Sequence, residues 1–130
     1  TSQNKSVRLR EACLVKAETT MDNDAGLKRG APILLVLQSP REKCWGMLDE
    51  ITAAGVFLRG LDLNAFDDWV RAVLHNEPFI GFATLFFPMW RVERIARDEP
   101  AGGLPSLAQQ AEQRTGRTFE ELMRDDVPLV

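Results

Sequence analysis

One change of hydrophobic period restricts the fold of this chain more than any other feature. In residues 64–78, NAFDDWVRAVLHNEP, the apolar residues Phe66, Trp69, Val70, Val73 and Leu74 recur at i, i+3, i+4, i+7 and i+8. That spacing lays them on one face of a helix. On both sides of this segment, between residues 32 and 97, apolar residues come instead in short runs stopped by proline, glycine or charge. Short runs rich in Ile, Leu, Val and Phe read as strands. The pattern predicts a mainly β fold with helices added to it.

The helix has its own punctuation. Asn64 is a suitable N-cap, Asp67 and Asp68 fall in the first turn, His75 falls in the last, and Pro78 bars continuation. Around it, five strands are predicted. PILLVLQSP (32–40) is the first, and REK makes the turn after it. CWGMLDEI (44–51) is the second, with Gly46 inside it as the mark of a bend or close approach. TAAG forms a tight turn ending in Gly55, and VFLRGLDL (56–63) is the third strand. FIGFATLFF (79–87) is the fourth, ended by Pro88, and RVERIAR (91–97) is the fifth. DEPAGGLP reads as a linker. Ser106 with Gln109, and Thr118 with Glu121, are capping-box pairs that open two C-terminal helices, the first broken at Gly116.

The organisation follows. Residues 1–30 read as a polar, turn-rich tail, in which only VRLREACLVKA has the makings of a short helix or strand. Met21 is a candidate native start, with residues 1–20 an upstream extension. Residues 31–100 form the domain, with a helical insertion at 64–76, and 101–130 a linker and helical segment.

Charge bounds the partners. The formal net charge is −3, and the two signs are unevenly spread. Residues 1–32 carry six basic and four acidic groups, residues 33–100 seven and ten, residues 101–130 three and five. An acidic body weighs against broad affinity for phosphate backbones. Cys13 and Cys44 form no C-x-x-C pair and have a single histidine, His75, for company, too few ligands for the usual zinc sites. Two free thiols suit a reducing cytosol. No apolar run approaches the ~20 residues that span a bilayer, and ACLV is too short for a signal-peptide core. The expected setting is cytoplasmic, with no membrane association and no cofactor.

The order of elements resembles the Sm-like small barrels, the superfamily that includes bacterial Hfq. WGMLDEITAAGVFLRG is similar to the first Sm motif, and Gly46 and Leu48 match its glycine and leucine. The likeness covers roughly residues 32–97. It implies a five-stranded Sm-like (SH3-type) barrel, because short strands close only if the long ones curve, and glycine tolerates that curvature. The family's base-binding Asp and Asn are replaced here by Thr52, Ala53, Ala54 and Gly55. Its Arg-Gly or Lys-His corner is replaced by Pro88, Met89, Trp90 and Arg91.

The candidate site is that corner. The Trp90 ring is a stacking platform for a base or a partner, and Arg91 is a phosphate contact beside it; the simpler reading packs Trp90 inward and lets Arg91 snorkel. On a strand, Arg91 and Arg97 share a face and Arg94 opposes them, which suits an edge guarded by charge. His75 lies a full i, i+7 from Asp68, and Asp67 is turned farther around the helix, so neither makes direct contact and His75 reads as a helix-end histidine. Cys44 reads as a small buried apolar residue. No G-x-S-x-G elbow, P-loop or dinucleotide fingerprint occurs. The apolar faces at Trp69 and at Leu107, Ala108, Ala111, Phe119, Leu122 and Met123 read as core, with a partner groove as the alternative. The leading functional expectation is a non-enzymatic assembly module that forms a homo-oligomer or meets a protein partner, because open edges at the fourth and fifth strands invite pairing between subunits. An RNA-binding protein of Sm/Hfq type is the second reading, and a small enzyme the third.

Overall fold

A computed structural model of the chain describes residues 27–124. The tail readings, including Met21 and Cys13, lie outside the described residues, as does the segment 125–130. Five strands form one antiparallel sheet: β1 (Pro32–Leu37), β2 (Glu42–Ile51), β3 (Gly55–Asp62), β4 (Ala83–Pro88) and β5 (Val92–Arg97). Their spatial order is β4-β3-β2-β1-β5. Three helices accompany it: α1 (Phe66–Leu74), α2 (Leu107–Thr115) and α3 (Phe119–Arg124). The mainly β architecture, the helix between the third and fourth strands and the two C-terminal helices agree with the sequence.

Connectivity forces this sheet to curl. β4 ends beside Gly55, at the Ile51 end of β2, whereas β5 begins beside Leu37, at the Glu42 end. β2 has ten residues, so in a flat sheet those ends lie ~30 Å apart along the strand. Only Met89–Arg91 link β4 to β5, and four Cα steps reach at most ~14 Å. The long strands must therefore bend. Gly46 faces Gly60 across the β2–β3 ladder, whose register shifts between Leu48 and Glu50. A Cβ on Gly46 would meet Arg59 O, and Gly60 Cα at 2.6 Å; one on Gly60 would meet Trp45 O, and Gly46 Cα at 2.8 Å. No ladder pairs β4 with β5, so the sheet is curled but open, and the closed barrel expected from the sequence is not reached by strand pairing.

Alternation along the strands makes two cores, one on each face. Ile33, Leu35, Leu37, Cys44, Leu48, Val56 and Leu58 fill the face of the glycine pair. On the other, outer face Trp45 and Leu61 meet Phe66, Trp69 and Val70 of α1, Ala108 and Ala111 of α2, and Phe119, Leu122 and Met123 of α3, and together they make the outer core. Trp45 is its aromatic centre, with ring centroids 5.1 Å from Phe66, 5.6 Å from Trp69 and 5.7 Å from Phe119. The helical apolar faces are thus core.

Two polar anchors fix the helices. Asp98, just past β5, accepts from Leu107 N at 2.9 Å, Ala108 N at 2.8 Å and Trp45 Nε1 at 2.9 Å. Its carboxylate satisfies orphan amides at the start of α2 and ties that helix to the sheet. Ser106 and Gln109 complete the capping box, and Gly116 ends α2 at φ 75°. Arg59 on β3 donates from Nε to Met123 O at 2.9 Å and lies 4.5 Å over the Phe82 ring.

Several boundaries differ from the sequence reading. β1 ends at Leu37 and β2 begins at Glu42, so the turn between them is 38–41 and not 41–43. Asn64 is not the helix N-cap: a 3-10 turn, Leu63–Ala65, precedes α1, and Asp62 caps that turn by accepting from Asn64 N at 2.8 Å. β4 begins at Ala83 rather than Phe79, because the preceding aromatics serve the outer core; Phe82 stacks on Trp69 at 5.5 Å. β5 begins at Val92, because Arg91 belongs to the 3-10 turn.

Candidate functional site

The β4–β5 corner is held from both sides by backbone. Met89 N donates to Ala54 O at 2.9 Å, in the β2–β3 turn. Gln38, at the end of β1, donates from its backbone N to Arg91 O at 2.8 Å and from Nε2 to Trp90 O at 2.7 Å. Pro88 suits the end of an edge strand, since it has no N–H to leave unpaired.

The corner separates the two candidate residues. The Trp90 ring faces solvent, with 64% of the residue exposed. The Arg91 side chain is only 17% exposed. It donates from Nε to Gln38 O at 3.1 Å and from Nη2 to Pro40 O at 2.8 Å and Glu42 Oε1 at 3.0 Å. Arg91 is therefore a clamp joining the corner to the β1–β2 turn. A guanidinium committed to two carbonyls and a carboxylate is poorly placed to meet a phosphate, so the pairing of Trp90 and Arg91 as joint contacts is not what the geometry provides.

The remaining arginines guard β5. Arg94 stands opposite Val36 and Arg97 opposite Ile33, so they project to different faces. Arg41 pairs with Glu93 at 3.3 Å and Arg97 with Glu99 at 3.6 Å. With Arg91 in the turn, the expected sharing of a face by Arg91 and Arg97 does not arise.

β4 is a different kind of edge. Its sequence ATLFFP carries no charge. Phe86 is 45% exposed, its ring centroid 4.8 Å from Phe57, and Met89 is 37% exposed. Phe86, Met89 and Trp90 thus form an exposed apolar stretch beside an edge with no ladder partner among the described residues. The order places the fourth and fifth strands at the two edges, as expected from the sequence reading; the uncharged run ended by proline is what sets β4 apart from β5.

The other chemical candidates are accounted for locally. His75 Nδ1 lies 2.8 Å from Arg71 O, which can only accept, so Nδ1 carries the proton. Asp68 bonds Arg71 at 3.1 Å, and Asp67 bonds Arg114 of α2 at 2.8 Å. Cys44 is buried and free. Burial pushes its thiol up to about 11, with Asp62 and Glu42 adding to the shift and Arg91 opposing it. The neutral thiol that results is a poor nucleophile. Among the described residues no three His, Cys, Asp or Glu side chains group to hold a metal, and no helix is long and apolar enough to cross a membrane. No protein-family model, curated protein or solved structure matches the chain.

Proposed function

We propose that this protein is a non-enzymatic assembly module: a small barrel of the Sm-like (SH3-type) kind whose open strand edge pairs with further copies of the same chain in the cytoplasm. The barrel reading is supported by the close approach of Gly46 to Gly60, the tight turn Thr52–Gly55 and the three-residue corner between β4 and β5. The single observation that carries self-association is the uncharged edge strand β4, with Phe86, Met89 and Trp90 exposed along and just beyond it. Unpaired strand edges of this kind template pairing, and soluble proteins ordinarily blunt them with charge, as on β5. The reducing setting suits the free thiol of Cys44. Light-scattering mass measured across a wide concentration range tests the reading. A mass above that of one chain is expected, and a strict monomer throughout overturns it.

The exposure of Trp90 favours a second reading, in which the ring stacks on an RNA base. Titration with oligouridylate at low salt tests it. Binding that weakens with salt and is lost in Trp90→Ala supports it; no binding at low salt rejects it.

A further inference from the structure

The hydrogen-bond phase of β4 is set by Met89 N reaching Ala54 O. In the same register Val56–Phe87 and Leu58–Leu85 are the hydrogen-bonded pairs, and Phe57–Phe86 and Arg59–Thr84 are the non-hydrogen-bonded ones. The backbone N–H and C=O groups of Thr84 and Phe86 therefore point away from β3, along the open edge. Pro88 is the next residue of this set, and it lacks the N–H that would otherwise be left unpaired.

From this we infer that β4 pairs antiparallel with β4 of a second copy about a two-fold axis at Leu85. The inference rests on the self-association reading and specifies its geometry. Thr84 then faces Phe86 of the partner subunit, and Phe86 faces Thr84 of the partner subunit. Each of these pairs exchanges two N–H···O bonds, because the outward groups on both strands are of the same set. Such an interface is isologous and closes at two copies. The two Phe86 residues sit diagonally on the outer face, at a spacing of ~7–8 Å that aromatic rings can bridge. They extend the existing Phe57–Phe86 contact.

Charge complementarity selects a second β4 over a neighbour's β5. β4 set against β5 would bring an uncharged strand beside Glu93, Arg94 and Arg97 and strip water from them. β4 set against itself buries no charge. The β5 ladder is also irregular, with a register shift at Val36–Leu37, which disturbs the regular edge that pairing needs.

The test is cross-linking combined with mass. Opposed residues in a non-hydrogen-bonded pair lie ~4.5 Å apart at Cα, inside the disulfide range. Leu85→Cys, with Cys13→Ser and Cys44→Ala, is expected to form a disulfide-linked dimer on mild oxidation. Because Leu85 is partly buried, a second variant guards against misfolding. Phe86→Lys on the exposed ring is expected to halve the mass with an unchanged circular dichroism spectrum, whereas Arg94→Glu on β5 leaves the dimer intact. Assemblies larger than two, dissociation by Arg94→Glu rather than Phe86→Lys, or a folded, associated Leu85→Cys protein that does not cross-link overturn this geometry while self-association stands. A monomer at every concentration overturns both.

Discussion

Replacing Arg91 with alanine removes three hydrogen bonds that no other side chain can supply, from Gln38 O, Pro40 O and Glu42. Bonds involving a charged group contribute ~1.5–3 kcal/mol each when broken singly, and these act as one unit. Arg91→Ala is expected to lower unfolding stability by ~2 kcal/mol, measured by urea titration under conditions that hold the oligomeric state constant. Trp90→Ala removes an exposed ring and is expected to change stability by under ~0.5 kcal/mol in the same measurement. Equal losses in the two variants would contradict the division of the corner into a clamp and an exposed ring. The identity of the corner was legible in the sequence, since Pro88 interrupts an apolar run. The division was not. Arg91 bonds to residues about fifty positions away, and no local pattern records which turn will lie beneath a guanidinium.

Among the elements, β2 and β3 approach closely at a facing pair of glycines. Gly46→Ala places a methyl against the backbone of Arg59 and Gly60, neither of which can move without breaking the ladder. The expected cost is ~3 kcal/mol, at the upper end for overpacking, read as a lower urea midpoint. Gly60→Ala is expected to match it, because the two glycines face each other. Gly46 stood out in the sequence as a strand-interior glycine. Gly60 did not, because only pairing puts it opposite Gly46. At the start of α2, Asp98→Ala leaves two helix amides and the buried Trp45 indole N–H without an acceptor. A loss of ~3 kcal/mol is expected by thermal or urea denaturation. Asp98→Asn is expected not to restore it, since an amide side chain has one acceptor oxygen where the carboxylate uses two. The capping boxes at Ser106 and Thr118 were readable because their partners lie three residues away. Asp98 read as linker because its partners are separated from it by the same chain stretch that it folds over.

For the whole molecule, the two cores share β1, β2 and β3, so neither face can lose its packing without exposing the strands of the other. Unfolding is expected to be a single transition. The fluorescence of Trp45 and Trp69, both in the outer core, should change together with the far-ultraviolet circular dichroism of the sheet. Two separated midpoints would show that the helical layer comes away first. Periodicity and punctuation alone determined the number and order of the strands, the helix between the third and fourth, and the C-terminal helices, because these depend on residues within a few positions of one another. Only the tertiary structure decided that Arg91 turns inward and Trp90 outward, that Gly60 answers Gly46, and that Asp98 ties α2 to Trp45 of β2. Each of those facts is a contact, or the lack of one, between segments far apart in the chain, and local spacing carries no record of which distant segment will arrive beside it.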